Sequence, residues 1–197
     1  MSDYLTSDQL KATLGLTSTT YDADVAASIT AASRAIDNLC NRPHGFWPDP
    51  DDVVRYYTPT LTNRLIVDDV VSITSFQVDF NADGVFEETW VENTEYILYP
   101  LNTTTPWRPK TWVETHPLSG RFFPIGYPRT VQITGKFGWQ MAPDGIYSAT
   151  SLLATQVFKR VREAPFGVLA FADVAAHIAR TDPQFSLMVA PYKRLTA

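Results

Sequence analysis

The chain has 197 residues, 45% of them hydrophobic and 13% aromatic, which excludes a disordered chain and allows one core or a core with an insertion. Its single cysteine, Cys40, excludes an internal disulfide, and no run approaches the ~18 apolar residues of a membrane span. The net charge of −5 and pI near 5.1 argue against a sequence-specific DNA-binding domain.

Along the chain, Thr6 or Ser7 caps a short helix through Leu14, and Gly15 ends it. Asp22 caps a longer helix whose Val25, Ile29, Ala32, Ile36 and Leu39 draw one apolar stripe. Small residues fill most of its remaining surface, so another backbone can approach closely. Asn41-Arg42-Pro43 stops it. From Val53 the period changes to two, and strands are expected at Val53–Tyr57, Arg64–Val67, Ser72–Phe80, Val85–Val91, Glu95–Leu98 and Thr130–Phe137. The proline-rich stretch 100–128 reads as a long irregular loop, with a short strand at Trp112–Glu114.

Helix returns at Asp144, with Ile146, Ala149, Leu153, Val157 and Val161 in one stripe and Lys159, Arg160 and Arg162 in the last turn. Pro165-Phe166-Gly167 breaks it. A last short helix starts at Asp182-Pro183 and runs to about Ala190. Pro191–Ala197 then reads as an exposed tail, and deleting Tyr192–Ala197 is expected to leave melting nearly unchanged. The expected fold is α+β: N- and C-terminal helices forming one bundle (1–52 and 141–197), with an inserted antiparallel β module (53–140).

Charge is uneven along the chain. Residues 1–105 carry 5 basic and 16 acidic side chains, net −11; residues 106–197 carry 11 and 5, net +6. Two readings fit: head-to-tail association of copies, or opposite faces meeting within one subunit.

Chemistry is sparse. Asp79, Asn81, Asp83 and Glu87 in DFNADGVFE match positions 1, 3, 5 and 9 of a calcium loop. Position 12 is Trp90 rather than glutamate, and the flanks are strands. A hairpin turn at Asn81–Gly84 is the stronger reading, and no metal or other cofactor is expected. His44, His116 and His177 are scattered, and Cys40 and His44 are separated by Pro43, so zinc is not expected. There is no G-x-S-x-G elbow, and Gly135–Gly138 is too short for a phosphate loop. The expectation is a non-enzyme. Five tryptophans (Trp47, Trp90, Trp107, Trp112, Trp139) suit a core better than a sugar platform.

The segments Leu5–Leu16, Ala31–Arg42, Arg64–Ser75, Ile133–Trp139, Val157–Val168 and Asp182–Arg194 together resemble, in order, the head–tail connector (head-completion or adaptor) proteins of long-tailed bacteriophages. The resemblance implies a structural virion protein, made in the host cytoplasm, that forms a homo-oligomeric ring of about twelve copies under the portal. It implies that the ring extends the DNA channel without sequence-specific binding and meets the next connector or the tail. It implies a C-terminal arm that reaches the portal; the composition of the tail makes Tyr192, Lys193 and Arg194 the expected portal contacts, and the basic run Lys159, Arg160 and Arg162 is the next candidate for subunit or partner contacts. The alternative from the residues alone is a carbohydrate- or receptor-binding β module on a helical stalk.

Overall fold

The computed structural model describes residues 2–103, 108–163 and 170–194. They separate into two compact units: residues 1–46 with 142–197, and residues 47–141. Trp107, the Pro165–Gly167 breaker and the last three residues lie outside the described part.

The first unit is helical. Helix α1 (Ser7–Leu14) opens with a capping box in which Thr6 and Gln9 satisfy each other's backbone, and closes on Gly15 in the left-handed region. Helix α2 (Asp22–Leu39) starts at Asp22 itself, so its N-cap lies one residue before the expected one. Tyr21 holds that position without a side-chain bond, and Asp22 instead receives Lys11 Nζ at 2.7 Å. Its stripe Val25, Ile29, Ala32 and Ile36 is buried against α3 (Asp144–Glu163) and α4 (Phe171–Thr181). Helix α5 (Pro183–Val189) takes Asp182 as its N-cap, and a 3₁₀ turn, Ala190–Tyr192, follows.

The described residues of the second unit form an antiparallel sheet of six strands. These are β1 (Val53–Tyr57), β2 (Arg64–Val78), β3 (Glu88–Thr89), β4 (Tyr96–Tyr99), β5 (Lys110–Thr115) and β6 (Val131–Phe137). The order is β1-β6-β2-β5-β4, with β3 beside β2. Phe76 lies at its centre, stacked on Tyr96 (4.5 Å between centroids) and Trp90 (5.6 Å), with Phe123 closing the cluster. Trp139 and Trp90 are buried, and Trp112 stacks on Tyr99 at 5.5 Å, so these three rings serve packing. At Gly135 a Cβ would stand 2.2 Å from the Ser72 carbonyl oxygen; this glycine permits strand approach rather than phosphate binding.

The expected architecture needs correction. The chain is mixed α+β, and its described residues form five α-helices in the order α1, α2, sheet, α3, α4, α5, where the sequence reading placed four. It left α4 out because Ala170 at its N-cap offers no side-chain bond, so no start signal marks Phe171, Val174 and Ile178. In the sheet, the two strands expected on either side of Asp68-Asp69 are one long bulged strand. Both acids are partnered, Asp68 by Arg55 at 2.9 Å and Asp69 by the Trp139 indole at 3.2 Å, so the pair does not break β2. Within the 100–128 stretch, the short strand expected at Trp112–Glu114 is present as β5, which runs longer, from Lys110 to Thr115.

Candidate functional site

The DFNADGVFE stretch is no tight hairpin. Because Val78 pairs with Glu88, the connection spans nine residues, 79–87, and the expected strand Val85–Val91 shrinks to β3. Asp79 organises it: its buried carboxylate accepts the Ala82 N–H at 2.7 Å and the Gly84 N–H at 2.9 Å. Asp83 accepts the Val85 N–H at 2.8 Å, and the Asn81 amide donates to Asp83 and Glu87. One oxygen from each of Asp79, Asp83 and Glu87 falls within a 4.8 Å group. The carboxylates thus gather as the sequence spacing suggests, but backbone amides already occupy Asp79. Trp90, at the position where a calcium loop needs a bidentate acid, is buried in the aromatic core.

The basic end of α3 divides. Arg162 is committed within the subunit, 3.2 Å from Asp24 and over the Tyr21 ring at 4.4 Å. Lys159 and Arg160 are exposed beside Gln156, Glu163 and Asp182, and make no ion pair among the described residues. Asp182 stays well ionised there. The Gln156 amide and the N–H groups of Phe185 and Gln184 hold its carboxyl below the ordinary range.

The C-terminal segment differs most from expectation. It is no free tail but a strap laid across the end of α2. The Arg194 N–H donates to the Cys40 carbonyl at 2.9 Å, and the Asn41 side chain returns a bond to the Arg194 carbonyl at 3.1 Å. Arg42 Nε donates to the Tyr192 carbonyl at 2.9 Å. The Tyr192 ring meets Phe46 edge-on at 6.1 Å and covers Gly145, where a Cβ would stand 2.5 Å from its hydroxyl. Only Lys193 of the three expected anchor residues is exposed; Tyr192 and Arg194 are half-buried. Burial, with help from the Arg194 charge, lowers the Arg42 guanidinium to about 10, so it remains a cation at neutral pH. Burial also raises the Cys40 thiol to about 11, which disfavours a nucleophilic thiolate.

Sequence reasoning missed the buried Tyr4–Asp37 pair. Tyr4 donates its hydroxyl to Asp37 and accepts the Phe46 N–H at 2.8 Å, which ties the N-terminus to α2. Burial raises the Asp37 carboxyl above the ordinary carboxylate range, against the opposing pull of the Tyr4 bond and Arg34. A single aspartate in an otherwise small and apolar helix face was the available signal. The histidines do not converge into a ligand set, and His116 Nδ1 accepts the Leu118 N–H within its own turn. Among the described residues no helix is long and apolar enough to cross a membrane. No protein-family model matches the sequence, and no curated protein matches it.

Proposed function

We propose that this chain is a structural head–tail connector of a tailed phage, acting as one copy of a ring beneath the portal. The observation that carries the reading, beside the ordered resemblance, is the surface of the β unit. All but one of the exposed large apolar side chains among the described residues belong to it, including Val54, Tyr56, Leu61, Phe122, Ile125 and Tyr127. That concentration suits a surface covered by neighbouring copies or the next connector. The same unit holds the whole net charge of −5, and an acidic wall lets DNA pass without retaining it.

The exposed cations Lys159, Arg160 and Lys193 are the portal contacts in this reading, because Tyr192 and Arg194 are docked on their own subunit. Light scattering of the protein with and without its portal tests the proposal. The expected result is a ring-sized particle of about twelve copies in at least one sample. A strict monomer in both, at low salt and high concentration, refutes it.

A further inference from the structure

Strand β1 is one edge of the sheet. Among the described residues it pairs with β6 alone, in unbroken register from Val53–Gly135 to Tyr57–Val131. Its other side therefore turns alternate backbone N–H and C=O groups outward, a row that another strand can pair with. The opposite edge, β4, is partly closed by its own chain: the Tyr96 carbonyl accepts the Asn93 N–H at 2.7 Å, and Glu92 bridges to Tyr96. Strand β1 lacks such protection. It has no proline, no lysine and no bulge, and its one charge, Arg55, is held by Asp49 and Asp68 over the Phe137 ring. Val54 and Tyr56 share one face and stand 45% and 42% exposed. Tyr56 is fixed in place. Phe86 leans on its ring at 5.8 Å, the Arg129 guanidinium lies over it at 4.4 Å, and the Gln132 amide donates to its hydroxyl at 3.3 Å. A rigid, exposed tyrosine beside an arginine is the composition of an interface centre.

We infer that β1 is a dimerisation edge: two copies join by antiparallel β1–β1 pairing about a two-fold axis, which continues the sheet of one copy into the other. Charge selects this partner and this direction. Asp51 and Asp52 stand exposed at the start of β1. Lys136, one residue past the Val53–Gly135 pair, offsets one of these two acids. At the other end Arg129 is exposed, its backbone N–H bonded to the Thr58 hydroxyl, and it makes no ion pair among the described residues. The loop that brings Phe86 also carries Asp83 and Glu87, but both accept the Asn81 amide. A parallel neighbour would set acid against acid and arginine against arginine. Antiparallel pairing instead sets the acidic start of each β1 against the Arg129 end of the other, twice in the dimer. A two-fold contact is isologous and cannot by itself close a ring, so the inference stands apart from the connector reading.

Two charge variants of the full chain test the pairing, in sedimentation velocity at physiological salt without portal. Arg129→Glu makes both ends of the edge acidic, and Asp51→Lys with Asp52→Lys makes both basic. Asp51→Lys alone is the reserve should loss of the Asp52–Thr74 bond unfold the strand. Wild type should dimerise, and either variant alone should do so with a dissociation constant at least about tenfold weaker. Their mixture should recover to within about threefold of wild type, because each then meets its opposite at both ends. Hydrogen exchange identifies the surface. The outward-facing amides of Val53–Tyr57 should exchange about tenfold more slowly where the dimer dominates than in dilute protein. A wild-type monomer up to the solubility limit overturns the inference. So does a dimer or larger assembly that both variants keep at wild-type strength, or one that leaves β1 exchange unchanged. Variants with wild-type circular dichroism that stay apart when mixed also overturn it. The expected dimer with no ring, with or without portal, upholds β1 pairing and removes the connector reading.

Discussion

The two units solve their surfaces in opposite ways. The helical unit holds nine basic and nine acidic residues and leaves one large apolar side chain, Leu187, well exposed among its described residues. The β unit holds seven basic and twelve acidic residues and exposes a succession of apolar side chains, up to Leu118 at 91%. Charge counted along the chain (−11, then +6) therefore mixes two different things. Part of the split is cancelled inside the helical unit, where Arg162 of the second stretch meets Asp24 of the first. What remains belongs to the sheet. On the connector reading, the acidic and apolar surface of the β unit is one that a neighbour would cover, while the exposed cations of the helical unit serve the portal.

The strongest way to break this contrast is to remove the centre of the sheet. Phe76→Ala deletes the ring on which Tyr96 and Trp90 stack and should cost about 3–5 kcal/mol. If the units are as distinct as their surfaces, near-ultraviolet aromatic signal is lost at lower temperature while helical ellipticity persists. Simultaneous loss of both signals would show one cooperative body instead.

Deleting Pro191–Ala197 probes the helical side. Read from sequence alone, removing Tyr192–Ala197 leaves melting nearly unchanged and costs only portal binding. With the Tyr192 ring on Phe46 and the hydrogen bonds to α2 in view, it should cost about 1–2 kcal/mol, seen as several degrees in the helical melt. An unchanged melt would mean that the strap contributes nothing to its own subunit.

The difference between those two outcomes shows what sequence could reveal. Periodicity exposed α2, α3 and most strands, because burial of one face writes itself into residue order at 3.6 or 2. It hid α4, whose cap is an alanine, and it split β2 at two acids whose partners, Arg55 and Trp139, are distant in sequence. The strap was illegible for the same reason. Its partners Cys40, Asn41 and Arg42 lie about 150 residues earlier, and a terminal Tyr-Lys-Arg carries no local sign of docking. The site residues nearest to legible were Asp79, Asn81, Asp83 and Glu87, since a loop's own spacing brings them together.

A subtler test concerns Asp37. Its folded-state carboxyl is raised, so the folded protein holds that proton more tightly than the unfolded chain. For this group stability is greatest below the ordinary carboxylate range and falls as pH rises through the raised value. Other carboxylates, such as Asp182, are lowered and act oppositely, so the comparison with Asp37→Asn isolates it. The melting difference, variant minus wild type, should grow in the variant's favour as pH increases. A difference that shrinks with pH would mean that Arg34, 3.3 Å from the carboxylate, outweighs burial.

The smallest effect is expected at the loop that most resembles a binding site. Calcium would need to displace the Ala82 and Gly84 N–H groups from Asp79 or share their oxygens, and to pull the Asn81 amide from Asp83 and Glu87. In return it would gain no bidentate acid, because Trp90 fills that position and is committed to the stack with Phe76 and Phe123. A site filled at a hundred times its dissociation constant would add about 2.7 kcal/mol. On a unit of this size that is on the order of ten degrees. Melting of the β unit in millimolar calcium and in chelator should instead agree to within about one degree. A rise of several degrees, lost in Asp83→Asn, would show that the loop binds the ion with its remaining oxygens. The acidic unit would then be finished partly by a cation rather than by a neighbouring protein surface.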